Sequence, residues 1–262
     1  MGIWEWLALV FQSIGSFFEN IFQAVGSFFE SIFQAIVNFI VSLPQAMEKI
    51  IGWMPALLQA TGITLSLTVL AVSCGLVISV FLALGKISKV KILQRLSSGY
   101  VFFFRGTPLL MQLFFIYYAL PQIIPALTIQ DRFMAAWIAY ALNSGAYLAE
   151  IIRAAIQSID KGQFEASKVL GMTYGQTMRL IIIPQSIRRL IPPVGNEFIM
   201  VIKDTSLVST IALVDLMKRT SSIMSSSASP LVYLPAMVIY LLITAVFTWI
   251  FNRLEKKFSV YQ

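Results

Sequence analysis

DKGQFEASKVLGMTYGQTMRLIIIPQSIRRLIPP, residues 160–193, is a basic, polar island between two strongly apolar regions. Its local signals spell a helix, a turn and a second helix. Asp160 is placed to cap the first helix, with Gln163 at the third helical position, and Gly171 to end it in a left-handed backbone conformation. Thr173 followed by Gln176 is a capping-box pattern that opens the next helix. A unit of this kind is a short rigid lever rather than a floppy connector.

What surrounds the lever is a membrane protein. Of 262 residues, 58% are hydrophobic and only 12% are charged, far from the ordinary globular mixture. The chain has no histidine, which excludes histidine-based acid–base catalysis and histidine metal sites. Cys74 is the single cysteine and lies in an apolar run, so neither an intramolecular disulfide nor a thiolate metal cluster is available; a buried, inert thiol is expected. The net charge of +7 does not call for nucleic acid, because Lys and Arg gather on the cytoplasmic side of membrane proteins for topological reasons.

Five spans are expected in an all-α fold, over about residues 55–84, 100–119, 133–152, 180–203 and 231–251. The fourth carries Pro192-Pro193, read as an interruption that frees backbone groups beside protein or a water-filled cavity. The segments 86–105, 153–189 and 253–262 hold five, six and three Lys and Arg, fourteen of the nineteen. That asymmetry puts these segments and the C-terminus on the cytoplasmic side of the membrane. Residues 51–262 form the spanning domain, with the lever at about residues 158–190.

Residues 1–50 differ from the rest. FQSIGSFFENI, FQAVGSFFESI and the looser FQAIVNFIVSL repeat from Phe11 to Leu43 with a period of eleven. Eleven residues are close to three helical turns, so Phe11, Phe22 and Phe33 share a stripe with Ile14, Val25 and Ile36, while Glu19 and Glu30 recur together elsewhere. Residues 1–47 contain no Lys or Arg, unlike a secretory signal. An amphipathic helix or helical hairpin lying in the lipid interface, or packed on a partner subunit, is expected; an extra spanning helix is the alternative.

Within the lever, Glu165-Ala166-Ser167, then Gly171, then after nine residues Ile181, Ile183 and Pro184, resembles the EAA loop of permease subunits in bacterial ABC importers. Ser167 for Ala and Ile183 for Leu are the departures. RGTPLL followed by QLFFIYY, residues 105–118, resembles the polar amino acid branch, as does NEFIMVIKDTSLVS after the double proline. The resemblance covers about residues 54–260. It implies a helical permease working as a homodimer or heterodimer with a second permease. Two copies of a cytoplasmic ATP-binding subunit and an external solute-binding protein would complete the transporter. Glu165, Ala166, Ser167, Gly171, Ile181 and Pro184 would be the ATPase-coupling positions. The chain lacks a G-x-x-x-x-G-K-[ST] loop, so it binds no cofactor of its own and ATP belongs to the partner.

A solute path needs polar groups inside apolar helices. Asn143, Tyr147 and Glu150 fall at i, i+4 and i+7 on one helical face, and Asn196 and Glu197 follow the double proline. These five are the candidate path. Glu150 also lies three residues before Arg153, where an ion pair is the plainer reading, and Asn196 and Glu197 suit a brace between subunits equally well. No metal site or catalytic residue is expected. Amino acid import is the leading function, against import of an opine, a sulfur-containing amino acid or an organic anion. An ATP-independent transporter and a membrane scaffold are the remaining classes.

Overall fold

A computed structural model describes residues 2–258, without the side chains of residues 5–14, 17, 18, 39 and 40. The described residues are helical, with no strand among them. In order they form α1 (Ile3–Ile87), α2 (Lys91–Gly106), α3 (Leu109–Phe114), α4 (Leu120–Ile123), α5 (Arg132–Gln157), α6 (Lys161–Val169), α7 (Tyr174–Thr177), α8 (Ile183–Asp204), α9 (Leu216–Ser227) and α10 (Tyr233–Phe258). Single π-helical turns at Phe115–Ala119 and Met178–Ile182 lead into α4 and α8. The chain divides into two units, Met1–Gly52 and Trp53–Gln262.

In the first unit the helix exposes Phe22, Val25, Phe33 and Ile36, four members of the stripe. Phe11 and Ile14 lie outside the described side chains. Ser27 and Ser31 donate their hydroxyls to the carbonyls of Ala24 and Ser27, so the small polar residues of the repeat satisfy themselves within the helix.

The second unit is built around α5 and α8. Asp131 caps α5 by accepting from the Met134 amide at 3.0 Å, and the small residues Ala135, Ala136, Ala139, Gly145 and Ala149 bury its core face. Small residues let backbones approach, which is how helices associate where lipid removes the hydrophobic drive. A Cβ at Gly75 of α1 would lie 3.0 Å from the Gly145 amide nitrogen and 3.1 Å from the Ala141 carbonyl oxygen, so this crossing is backbone against backbone. The main core gathers Leu67 and Ala71 of α1, Leu113 of α3, Ala139 and Tyr140 of α5, and Phe198 and Ile202 of α8. Cys74 is half-buried, not fully buried.

Two elements depart from the expected layout. The second span is not one helix: α2 and the segment Leu109–Ile123 meet at 103°. Pro108 has no amide to continue α2 and drives Thr107 into the extended region, φ −116° and ψ 145°. Conversely, α8 is not interrupted at Pro192-Pro193 but runs unbroken from Ile183 to Asp204. Each proline removes one donor, yet α8 is packed against both α5 and α10, and this packing holds the axis where local chemistry alone favours a break. By length and hydropathy, stretches within Glu19–Ile87 and Pro230–Phe258 are able to cross a membrane, and the bent α2–α3 pair makes a third. α5 and α8 fall short of that hydropathy.

Candidate functional site

The lever forms from local interactions. The Asp160 carboxylate accepts from the Gly162 amide at 2.6 Å and starts α6. At its end Gly171 takes φ +75°, its amide donates to Lys168 O and the Met172 amide to Ser167 O, both at 3.0 Å, which is a Schellman closure. Thr173 and Gln176 then form the complete capping box, with the Thr173 amide on Gln176 Oε1 at 2.8 Å. One further bond ties the two arms: Thr177 Oγ1 donates to Ser167 Oγ at 2.9 Å, and Ser167 donates on to Phe164 O. Ser167 is therefore the buried hinge pin of the turn.

Beneath the turn an apolar pad joins Ala83 and Ile87 of α1, Ile152, Ile156 and Ile159 of the α5 end, Phe164 of α6, and Met178, Ile181 and Ile182. Ile181 thus supports the lever from below. Glu165, Ala166, Gly171 and Pro184 are exposed. So are three apolar side chains that the sequence reading did not single out, Val169 (87% exposed), Leu170 and Tyr174. Their signal was available, since apolar residues flanking a capped glycine turn on a polar surface have no core to enter.

A second site lies at the α2–α3 elbow. Gln112, only 5% exposed, donates from Nε2 to Phe104 O (2.9 Å), Thr107 O (3.0 Å) and Thr107 Oγ1 (2.8 Å). Asn143 of α5 donates to Phe104 O (3.1 Å) and to Gln112 Oε1 (2.9 Å). The carbonyls that α2 leaves open at its break are satisfied by two side-chain amides, the requirement for irregular backbone at membrane depth.

This pinned elbow forms one wall of a cavity of about 480 Å³, whose lining includes Arg105, Thr107, Asn143, Tyr147, Glu197 and Asp204. The Arg105 guanidinium lies 5.2 Å from the centroid of the Tyr147 ring, a cation–π distance. The Tyr140 hydroxyl donates to Asp204 O at 2.6 Å and fixes the end of α8 on α5. One cation and two carboxylates around a cavity in apolar surroundings are suited to a small solute that carries both signs of charge.

Three of the five candidate path residues, Asn143, Tyr147 and Glu197, line this cavity, while Glu150 and Asn196 are not part of the lining. Glu150 accepts from Lys86 Nζ at 2.6 Å and from Arg153 Nε at 2.9 Å, and Asn196 is exposed. Arg105 and Asp204, absent from the sequence-based set, complete the lining. Arg105 is masked in the sequence by its place at the end of a basic segment.

A bent helix pair packed on α5, a capped lever on an apolar pad and a polar cavity between apolar helices define the membrane subunit of a transporter. Residues 75–260 match the family described as "Binding-protein-dependent transport system inner membrane component", and the chain belongs to it. It is 38% identical over 211 residues to the probable amino-acid permease protein YxeN of Bacillus subtilis (strain 168), covering 80% of this chain and 94% of that protein. The glutamine transport system permease protein GlnP of Escherichia coli (strain K12) is 37% identical over 208 residues, covering 79% and 94%. Among solved structures, an amino acid ABC transporter with histidines superposes with a TM-score of 0.75 at 39% identity, covering 80% of this chain and 97% of that one. The protein is the membrane permease subunit of an ABC importer, and the family implies an ATPase subunit, a second permease and a binding protein.

Proposed function

We propose that this permease carries a polar amino acid inward through the cavity between Arg105, Glu197 and Asp204, driven through the α6–α7 lever. The observation that carries the reading is the charge set: a guanidinium receives the substrate carboxylate, and the two acids receive its ammonium group. Asn143 and Tyr147 lie ten to fourteen residues before the end of α5, about 15–21 Å along its axis from the lever that follows. The same rod therefore joins the solute cavity to the coupling surface.

In this reading residues 158–190 face the cytoplasm, and Glu165, Ala166 and the exposed Val169, Leu170 and Tyr174 dock on the ATPase. The C-terminus lies on the same side, as the basic segments require. Two permeases, each with its own ATPase copy, and one external binding protein form the transporter. ATP is bound and hydrolysed by the partner, and this chain performs no covalent chemistry. Residues 51–262 are the transporting domain, and residues 1–50 are an accessory element.

The test is uptake of labelled amino acids into vesicles holding the full complex, with ATP turnover measured in parallel, for Arg105→Gln and Glu197→Gln. A charge-assisted hydrogen bond is worth about 1.5–3 kcal/mol, so each variant should lose about tenfold or more in uptake at limiting substrate. Unchanged uptake in both variants refutes the cavity as the path.

A further inference from the structure

The geometry points to Glu150 as a positioning residue that joins the base of the coupling lever to the end of α1. The inference rests on the coupling role proposed for the lever. Glu150 on the last turns of α5 is held from two sides, by Lys86 in the final turn of α1 (2.6 Å) and by Arg153 (Nε 2.9 Å), whose guanidinium also reaches Gln157. Lys86 is 64 residues from Glu150 in sequence, and its Nζ is the only hydrogen-bond donor shown to Glu150 from outside α5 among the described residues. One residue beyond Gln157, the Ser158 carbonyl accepts from Arg189 of α8. The inner ends of α1, α5 and α8 are thus laced by polar side chains around the apolar pad that carries Phe164, Ile181 and Ile182 of the lever.

The two layers do different things. The apolar pad supports the lever but is non-directional, so helix ends packed on it are able to slide. An ion pair with about a fifth of each side chain exposed fixes relative position. α1 is also the helix that crosses α5 backbone-to-backbone at Gly75 and Gly145. A displacement of α6 therefore reaches α1 through Glu150 as well as through the pad, and α1 and α5 move together. Without the tie, the lever still docks and ATP is still hydrolysed, but part of each stroke is lost in slippage between helix ends.

The experiment measures ATP hydrolysed per solute transported by the reconstituted complex, for Glu150→Gln, Lys86→Gln and the double variant. Recovery of the ATPase and thermal stability are recorded for each. The ratio should rise about threefold to tenfold in either single variant, a coupling change of about 0.7–1.4 kcal/mol, and no further in the double. Lys86→Arg, which keeps the charge, should hold the wild-type ratio. An intact complex with an unchanged ratio in both single variants overturns the inference, as does a ratio that rises additively in the double. A ratio that rises only in proportion to lost complex also overturns it, in favour of a merely structural role. Failure of the wild type to recover any ATPase overturns the coupling role itself, and this inference with it.

Discussion

Gly195 offers the sharpest test of how this bundle is held together. It is buried in α8, and a Cβ added there would lie 2.7 Å from Cγ, 3.0 Å from Cβ and 3.1 Å from Cδ1 of Phe251 on α10. Carbon atoms pack at about 3.5–4.0 Å, so the closest pair must separate by about 0.8 Å. Rotating the Phe251 ring does not relieve this, because the ring's own Cβ is also too close. Phe251 in turn packs against Phe198, 5.7 Å between centroids with the rings tilted by 55°, and Phe198 packs on Phe247 at 4.5 Å. Two terms oppose each other. Helix propensity favours Ala over Gly by about 1 kcal/mol, whereas overpacking a fitted contact costs about 1–3 kcal/mol. Gly195→Ala should therefore destabilise by about 1 kcal/mol net, lowering the unfolding midpoint by about 2–4 °C for a domain of this size. Gly62, where nothing lies within 4 Å of an added Cβ, is the control and should be unchanged or slightly stabilised as Ala. Phe251→Ala removes Cγ and Cδ1 and leaves only the Cβ contact at 3.0 Å, so the double variant should be more stable than the two single losses sum to, with a coupling of about 1 kcal/mol. The assay is the temperature at which half of the purified, heated protein leaves the monodisperse gel-filtration peak. A rise in midpoint for Gly195→Ala, or an additive cycle with Phe251→Ala, refutes the account of the α8–α10 contact.

Gly171→Val should weaken the lever through the backbone alone: φ is +75° and no atom lies within 4 Å, so the cost is conformational, about 1–2 kcal/mol, read as reduced ATPase recovery on purification. Ser167→Ala should be mild by comparison, under about 1 kcal/mol, because Thr177 keeps its second bond to Thr173 O at 3.1 Å; a loss of ATPase recovery as large as that of Gly171→Val contradicts this. Deleting residues 1–47 should leave amino acid uptake by the assembled complex intact, since the family match begins at residue 75; abolished uptake with normal assembly refutes an accessory role.

The lever was legible in the sequence almost atom by atom. The Asp160 cap, the left-handed Gly171 and the Thr173–Gln176 box involve residues at most five positions apart, so residue type and spacing fix them before any tertiary contact forms. The helical class and the membrane setting were equally local properties, carried by composition and by runs of apolar residues. The sites that need several helices were legible only in part. Asn143, Tyr147 and Glu197 stood out as polar residues in apolar surroundings, and they line one cavity. Arg105 and Asp204 did not, because each sits at a helix end where a charge needs no explanation.

What only the tertiary structure decided are the relations between distant segments. The sequence reading carried one span across Thr107-Pro108, where the chain bends by 103° and Gln112 and Asn143 satisfy the carbonyls exposed there. Pro192-Pro193 signals a break that does not occur, because packing on both sides of α8 outweighs two missing donors. Glu150 was open to solute contact, with an ion pair to Arg153 the plainer reading, and the sequence did not point to Lys86, which comes from another helix to within 2.6 Å. The physical reason is the same in each case. Caps and turns are settled by bonds within one helical turn, whereas the fate of a charge, a proline or a glycine inside a bundle is settled by whichever helix lies against it.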